Sequence, residues 1–330
     1  MKSIVITTIQ APTSSVRGML DQARAGGLNL LVIGDRKTPA VDWPEGSEFF
    51  GIDAQQELGY SLATLLPENH YARKNIGYLI AMSADAACIY DTDDDNAPLE
   101  AWQPRTLQTT ARPCLERGWI NAYRWFSDVQ IWPRGLPLQN AHRAAPPAKL
   151  GEAAAFDAPI QQGLANGSPD VDAAWRLLMD QEVEFKVADS VCLPAGAWCP
   201  FNSQSTWWFP IAYPLLYLPS FVSFRMTDIW RSFIAQRCLW ALGHGVVFHG
   251  AEVFQDRNPH NLLRDFEQEI PGYLGNDKFR AVLEALDLRA GTEQVADNLH
   301  RCYEALVATG LIDAREMPLL RAWLNDIQRK

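Results

Sequence analysis

Four aspartates lie within five positions of the segment YDTDDDN, residues 90–96, directly after the apolar run AACI. Carboxylates this close repel one another and resist losing water, so a positive group should compensate them. Asp93 and Asp95 lie one residue apart at the end of a predicted strand, and there they can share one Mg²⁺ or Mn²⁺ that bridges the phosphates of a nucleotide diphosphate. Asp94 would point elsewhere, toward the ribose or the sugar.

Three alternative roles suit the aspartate cluster less well. An EF-hand loop is excluded, because Asn96 stands where glycine is expected and Trp102 stands where a bidentate glutamate is required. A nucleophilic aspartate for phosphoryl transfer lacks a clearly spaced Thr or Ser and Lys. A solvated acidic run stays open, although it fits poorly after a buried strand. A lone DxD pair is a weak signal that becomes stronger on a strand–helix–strand scaffold.

The first hundred residues provide such a scaffold, since short apolar runs alternate with helical segments. This alternation predicts a mainly parallel, doubly wound α/β sheet, in which ligands bind beyond the C-terminal strand ends. Asp35 and the aspartate cluster both follow predicted strands. The predicted strands are 3–9, 28–35, 48–52 and 86–91, and the predicted helices are 13–25 and 71–85.

The rest of the chain is less regular. Residues 143–170 are rich in Ala, Pro and Gly and predict a long loop. Residues 207–224 are uncharged and long enough to span a membrane, but three prolines favour a core segment or pocket wall. An aromatic surface for a lipid-linked substrate is the alternative. Further helices are predicted at 171–185, 228–242, 259–268, 276–287, 292–309 and 313–329.

Composition limits the classes of function. The 330 residues carry a net charge of −10, which argues against nucleic acid as a partner because phosphate binding needs dense Lys and Arg. Six scattered cysteines without a CxxC pair predict reduced, packing thiols. The N-terminus starts a strand at once and shows no signal peptide. We therefore expect a cytoplasmic protein, with peripheral contact at the inner face of the membrane allowed and the oligomeric state open.

Longer motifs add a family resemblance. In order along the chain, IVITTIQAPT, VIGDRKTP, LPENHYARKNIGYLIAM, IYDTDDDN, GSPDVDAAWRL, PFNSQST, VSFRMTDIWRSFIAQRCLW and QDRNPHNLLRDFEQEIPGY resemble the STELLO family of glycosyltransferase-like proteins. That family is similar to the reversibly glycosylated polypeptides, which include UDP-arabinopyranose mutases. Plant members carry a membrane anchor and sit in the Golgi, whereas this chain resembles a stand-alone, bacterial-type catalytic domain.

The resemblance covers most of residues 3–275 and implies a GT-A-type (Rossmann-like) mixed sheet flanked by helices. We expect a GT-A domain over 1–275, with a nucleotide-binding half at 1–142 and an acceptor half at 165–275. Residues 276–330 are then a helical C-terminal extension. The resemblance also implies a nucleotide-sugar donor, with UDP favoured.

The GT-A pattern assigns roles residue by residue. Asp93 and Asp95 would hold Mn²⁺ or Mg²⁺, with His249 as a third ligand. Residues near the nucleotide would be Thr7, Thr8, Pro12, Asp35, Lys37, Arg73, Lys74, Asn75, Arg257 and His260. Residues near the sugar would be Asp94, Asp170, Asp172, Asn202, Gln204 and Ser205, with Trp207 and Trp208 as stacking platforms.

Inverting transfer to a hydroxyl needs one general base near the acceptor. Asp228, in MTDIWRSF, precedes an apolar helix and is the candidate, although an aspartate there also makes a good N-cap. The predicted function is a metal-dependent hexosyl- or pentosyltransferase acting on a glycan hydroxyl, as in bacterial surface polysaccharide synthesis. A nucleotide-sugar mutase and a non-catalytic scaffold of a glycan synthase are the alternatives. The intact acidic motifs disfavour the scaffold, and TDIW favours the transferase over the mutase.

Overall fold

A computed structural model describes residues 1–141, 147–179, 181–257 and 261–329. The strands are β1 (Lys2–Thr8), β2 (Leu28–Gly34), β3 (Ser47–Phe50), β4 (Cys88–Thr92), β5 (Asn96–Pro98), β6 (Gln108–Pro113), β7 (Gly118–Trp119), β8 (Ala154–Asp157), β9 (Ile160–Gly167), β10 (Val191–Leu193), β11 (Ala197–Trp198), β12 (Ser205–Trp208) and β13 (Val246–Gln255). The helices are α1 (Ser14–Gly26), α2 (Ile52–Glu57), α3 (Ser61–Leu65), α4 (Lys74–Ser83), α5 (Leu138–Ala141), α6 (Ala173–Met179), α7 (Thr227–Ala241), α8 (Leu262–Glu284), α9 (Val295–Ala308) and α10 (Glu316–Asp326).

Eleven of the strands in the described ranges form one mixed sheet, in the order β3-β2-β1-β4-β12-β9-β13-β10-β6-β8, with β5 paired to β13. Strands β1 to β4 run parallel, β12 runs antiparallel between β4 and β9, and β13 runs parallel to β9. The start of β12 therefore meets the carboxyl ends of β1, β2, β4, β9 and β13 at one edge. The predicted GT-A-type α/β sheet flanked by helices is confirmed.

The N-terminal half follows its sequence pattern closely. Helix α1 starts where Thr13 Oγ1 accepts a hydrogen bond of 3.1 Å from the Val16 amide, and it ends at Gly27, whose φ of 65° lies in the left-handed region. Its apolar side, including Met19 and Leu20, is buried with the inner faces of β1 and β2. These contacts fix the turn between β1 and α1 at the carboxyl edge of the sheet.

The predicted long loop at 143–170 is wrong, because part of it forms β8 and β9. Strand β9 is central and almost wholly buried, yet its sequence IQQGLANG is polar. The side-chain amide of Gln161 donates to the backbone carbonyls of Thr106, at 2.8 Å, and Ala158, at 3.1 Å. These hydrogen bonds satisfy a polar side chain in the core, so the strand lacks the apolar pattern by which strands are recognised.

Two helix predictions also need correction. The helix predicted at 171–185 covers only Ala173–Met179, and Val183 instead bridges to Gly167. The helices predicted at 259–268 and 276–287 are one continuous helix within the described residues, α8, which runs through Pro271. The domain boundary predicted at 275 falls inside α8.

The C-terminal helices share the main core. Glu316 of α10 accepts hydrogen bonds from the backbone amides of Ser220, at 3.0 Å, and Phe221, at 2.7 Å. The rings of Tyr217 and Tyr303 pack with centroids 5.6 Å apart. Residues 276–329 therefore close the hydrophobic core that lies behind the 217–221 segment.

The apolar stretch at 207–224 is mainly core, as predicted. Trp207, Trp208, Leu216 and Leu218 have no exposed surface. All six cysteines are buried free thiols, which confirms their predicted packing role. No helix in the described ranges is long and apolar enough to cross a membrane.

Candidate functional site

A cavity of about 570 Å³ opens at the carboxyl edge of the sheet. Six aspartates, four arginines and one lysine line it. The lining residues are Thr7, Thr8, Ile9, Gln10, Asp35, Lys37, Asn69, His70, Tyr71, Asp93, Asp94, Asp95, Arg134, Asp170, Arg176, Gln204, Phe224, Arg225, Asp228, Gln255 and Arg257.

A buried lysine lies beneath the aspartate cluster. Lys74 Nζ lies 2.7 Å from Asp91 and 2.9 Å from Asp93, and it donates to the Thr92 carbonyl at 2.5 Å. Burial opposes the charge of Lys74, but Asp91 and Asp93 outweigh that effect and raise its pKa. Arg231, also buried, pairs with the other oxygen of Asp91 at 3.0 Å. Two fixed cations therefore neutralise Asp91 and Asp93 from behind the cavity.

Asp94 and Asp95 have no such cation among the described residues. Asp94 Oδ2 accepts a hydrogen bond of 2.5 Å from Thr8, and burial raises the pKa of Asp94. Burial, with repulsion from Asp93 and Asp94, raises the pKa of Asp95 to about 7. Asp95 Oδ1 is buried and has no hydrogen-bond partner in the described part of the chain. The cluster is therefore short of positive charge at Asp95.

Two glutamines connect Asp95 with the opposite wall. Gln255 donates from Nε2 to Asp95 Oδ2 at 3.0 Å, and its Oε1 accepts from Gln204 Nε2 at 2.6 Å. Gln204 Oε1 in turn accepts from the Asp170 amide at 3.0 Å. These bonds hold the ends of β4, β9, β12 and β13 in one polar network.

Arg134 joins the two acidic groups of that wall. Its Nε lies 2.7 Å from Asp170 Oδ1, its Nη2 lies 3.0 Å from Asp228 Oδ2, and its Nη1 donates to the Arg225 carbonyl. Burial would raise the pKa of Asp170, but Arg134 outweighs burial and lowers it. Asp228 lies in the first turn of α7, where it makes no cap for the helix. The alternative that Asp228 acts as an N-cap is therefore wrong.

Three further arginines surround Asp170. Arg225 pairs with Glu269 at 3.0 Å, and Arg257 pairs with Asp265 at 2.8 Å. Arg176 has no carboxylate partner within the described ranges; it donates from Nη2 to the Pro169 carbonyl at 2.6 Å, and its buried Nε has no partner there. Burial and the nearby Arg257 lower the pKa of Arg176 to about 10.

The end of the cavity beside β1 and β2 is organised by Asp35. Its carboxylate accepts from the amides of Arg36, Asn69 and His70 at 2.6, 2.7 and 2.9 Å. His70 Nδ1 accepts from the Ala72 amide at 3.1 Å, and burial lowers the pKa of His70. The neutral ring thus carries its proton on Nε2, which is the nitrogen left to serve as a donor.

The structure brings a large part of the predicted site together. Asp228 lies in the same cavity as the aspartate cluster, and so do the predicted residues from the β1, β2, β9 and β13 ends. The predicted residues that line the cavity are Thr7, Thr8, Asp35, Lys37, Asp93, Asp94, Asp95, Asp170, Gln204, Asp228 and Arg257.

Several predicted site residues lie elsewhere and have structural partners. Arg73 donates to Gln55 Oε1 at 2.8 Å, and Asn75 makes two hydrogen bonds with the backbone of Leu218. Asp172 accepts from the Trp175 amide and from Trp132 Nε1 at 2.8 and 2.6 Å. These three residues do not line the cavity, because their polar side-chain groups form hydrogen bonds inside the fold. Their predicted roles in the site are corrected accordingly.

The predicted third metal ligand also lies outside the cavity. Both ring nitrogens of His249 are engaged, with Ser190 Oγ at 2.7 Å and Gln161 Oε1 at 3.0 Å. Asn202 accepts from the Gln204 amide at 2.9 Å and supports the chain behind the site. The other predicted residues that do not line the cavity are Pro12, Lys74, Ser205, Trp207 and Trp208. His260 lies outside the described residues.

Sequence reasoning missed several polar residues of the site, among them Asn69, His70, Tyr71, Arg134, Arg176, Arg225 and Gln255. Tyr71 donates to Asp93 at 2.6 Å, and it stands with His70 in the motif LPENHYARKNIGYLIAM. Arg176 and Arg225 also stand inside family motifs, next to residues that were assigned roles. Arg134 lies in WPRGL, where no recognised motif marks it.

Comparison with known proteins identifies the family of the chain. The model of a family described as STELLO glycosyltransferases matches residues 225–330. The chain is 33% identical over 349 residues to the probable glycosyltransferase STELLO1 of Arabidopsis thaliana, and 32% identical over 357 residues to STELLO2 of the same plant. The chain belongs to the STELLO family. Each alignment covers 99% of this chain and 44% of the relative, so the chain spans about half the length of these STELLO proteins. The match to residue 330 also extends the resemblance beyond its predicted limit at 275.

Proposed function

We propose that this STELLO-family chain transfers a sugar from a nucleotide-sugar donor to a hydroxyl of a glycan acceptor, with UDP as the favoured nucleotide. The observation that carries the proposal is the meeting of Asp93, Asp95 and Asp228 in one cavity at the carboxyl edge of the sheet. Nucleotides bind at this edge of doubly wound folds. The relatives STELLO1 and STELLO2 are named as probable glycosyltransferases, which supports the same reaction class.

The residues at the aspartate cluster fit a divalent cation. Asp95 Oδ1 is buried without a partner in the described ranges, and the pKa of Asp95 near 7 indicates that its charge lacks compensation. Carboxylate oxygens are the ligands that Mg²⁺ and Mn²⁺ prefer. Bound at Asp93 and Asp95, the cation would neutralise negative charge on the diphosphate leaving group.

The cation would also need ligands from outside the protein. Within the described residues no three His, Cys, Asp or Glu side chains are arranged to hold a metal ion together. Mg²⁺ sites of this kind usually combine one or two carboxylates with phosphate oxygens of the substrate. Metal binding and nucleotide binding should therefore depend on each other.

Asp228 is the proposed general base for an inverting transfer. Arg134 contacts both of its oxygens, at 3.1 and 3.0 Å, and thereby fixes the direction in which the carboxylate faces the cavity. A base held this way can accept the proton of an acceptor hydroxyl while the sugar is transferred. Arg134 is thus a positioning residue in the proposed mechanism.

The test is donor turnover with Mn²⁺, in the presence and absence of glycan acceptors, measured as nucleotide release and as sugar transferred. We expect Asp228→Asn to reduce turnover by about 10²- to 10⁴-fold, the usual contribution of a general base, while nucleotide binding is retained. The matched control is Asp128→Asn, at an exposed carboxylate that pairs with Lys186 at the surface.

The result also separates the alternatives. Isomerised donor without any acceptor would contradict transfer and identify a mutase. Nucleotide binding without turnover of any donor would favour a non-catalytic role. Equal activity of the Asp228→Asn variant and the wild type would remove Asp228 from the mechanism.

A further inference from the structure

The acceptor side of the cavity carries a cationic group that the proposed transfer reaction does not use. Arg176 lines the cavity, and in the described part of the chain it is the lining arginine without a carboxylate partner. Arg134, Arg225 and Arg257 each lie within 3.0 Å of an aspartate or glutamate oxygen. Arg176 instead donates to one backbone carbonyl, and its buried Nε is unsatisfied. A buried donor of this kind favours a ligand that can accept its hydrogen bond.

The surroundings of Arg176 strengthen this preference. Arg225 and Arg257 are close enough to lower its pKa, together with burial. Neighbouring like charges make an incoming anion more favourable, because it relieves their repulsion. The planar guanidinium can also hold a carboxylate or phosphate with two hydrogen bonds.

Arg176 belongs to the part of the cavity around Asp228, the proposed base, and not to the part around Asp93 and Asp95, where the divalent cation would bind. The charged neighbours that shift Arg176 are Arg257, Asp170, Arg225 and Glu269. Those that shift Asp95 are Asp93 and Asp94, so the two groups respond to different charged neighbours. Arg225 stands three residues before Asp228, and Arg134 connects the Arg225 carbonyl with Asp228. Arg176 donates to the Pro169 carbonyl, and Arg134 links the adjacent Asp170 with Asp228, so Arg176 lies on the side of the cavity where the acceptor hydroxyl must lie.

We propose that Arg176 binds an anionic group of the acceptor, either a carboxylate or a phosphate, so that the acceptor is an acidic sugar. This inference rests on the proposed function, since it assumes that the cavity holds donor and acceptor together. Arg225 and Arg257 hold the surrounding walls through Glu269 and Asp265. A neutral sugar would leave the guanidinium unpaired and would bind less well.

The test compares glucuronate, glucose 6-phosphate and glucose by ligand-observed NMR titration, with and without saturating nucleotide and Mn²⁺. We expect at least one anionic sugar to bind about ten-fold more tightly than glucose, as a charge-assisted hydrogen bond allows. The two anionic probes distinguish a carboxylate site from a phosphate site. The preference should shrink as salt is raised.

Variants locate the effect. Arg176→Gln should bring the anionic sugars to the level of glucose while nucleotide binding stays unchanged, and Arg176→Lys should keep part of the preference. The control is Arg17→Gln, at an exposed arginine of α1, and thermal unfolding checks that each variant is folded. If the Arg176→Gln variant does not fold, the comparison of the three sugars on wild-type protein still tests whether the site prefers an anionic sugar.

Two results would overturn the inference. One is equal binding of anionic and neutral sugars to the wild type under all conditions. The other is a loss of nucleotide affinity in Arg176→Gln as large as its loss of sugar affinity, which would assign the arginine to the donor diphosphate. Failure of the proposed function itself is a separate result, because it appears as an absence of metal-dependent nucleotide binding in the wild type.

Discussion

Lys74 Nζ lies 2.9 Å from Oδ1 of Asp93, and neither Lys74 nor its second partner Asp91 has exposed side-chain surface. With Arg231 on the other oxygen of Asp91, this arrangement shows how a buried strand can end in four clustered aspartates. Asp91 and Asp93 are paired with cations of the fold itself, whereas Asp94 and Asp95 have no cation partner in the described ranges.

Removing this lysine should destabilise the protein strongly. Lys74→Met leaves the buried Asp91 and the partly exposed Asp93 with one cation fewer. Breaking a buried ion pair from one side typically costs about 3–5 kcal/mol. Denaturant unfolding of both proteins measures the loss. The control is Lys186→Met at the surface pair with Asp128, whose side chains are 48% and 87% exposed; we expect about 0–1 kcal/mol there. Similar losses for the two variants would show that Lys74 is not the counter-charge.

Asp95 should make stability depend on pH. Its pKa is about 7 in the folded protein and about 3.9 in an unfolded chain. The stability contributed by its proton is therefore fully present below about pH 4 and is lost as the pH rises through about 7. Asp95→Asn remains neutral throughout, so its thermal midpoint should fall less between pH 5 and pH 8 than that of the wild type. Asp42→Asn, at an exposed aspartate, should follow the wild type.

A divalent cation should reverse this loss. Because Mn²⁺ competes with the proton for Asp95, it should raise the midpoint of the wild type at pH 8 and have little effect at pH 5. The midpoint of Asp95→Asn should respond weakly at both values. Parallel pH curves for the wild type and the variant would show that Asp95 titrates normally.

The N-terminal half was predictable because its signals are local. The run IVITT shows the pattern of a buried strand, and Thr13 is recognisable as the N-cap of the helix that follows it. Strand β1 and helix α1 form where they were expected. The aspartate cluster was recognisable for the same reason, since its residues are adjacent in the chain. Its position at the sheet edge followed from the parallel order of the strands.

The part of the chain after residue 142 was harder to predict because its elements depend on distant partners. Strand β9 is polar, and it is stable only because Gln161 and Gln162 find backbone carbonyls from other segments. Asn75 and His249 have polar side chains suited to a site, but the structure uses them inside the fold. Arg134, which positions Asp228, comes from a segment 94 residues earlier. The roles of residues like these can be assigned only when the tertiary contacts are known.

Strand β9 offers a direct check on this packing. A Cβ added at Gly163 would lie 2.3 Å from Glu252 Oε2, whereas one added at Gly250 of β13 would meet nothing within 4 Å. Glu252 cannot move aside freely, because it pairs with Arg105 and accepts from Ser205 at 3.1 Å. Gly163→Ala should lose about 1–3 kcal/mol on denaturant unfolding, the usual cost of overpacking. Gly250→Ala should be close to neutral, and equal losses at the two glycines would contradict the packing described for β9.

The most direct test of the central claim is calorimetric titration with UDP, GDP, dTDP and CMP, each with Mn²⁺ and with EDTA. Wild-type protein and Asp95→Asn are compared at pH 8, where Asp95 is ionised. We predict that one nucleoside diphosphate binds the wild type only with Mn²⁺, and that its affinity falls at least ten-fold in the variant. Binding that is equal in Mn²⁺ and EDTA, or unchanged by the variant, would contradict a cation-dependent donor site at the aspartate cluster.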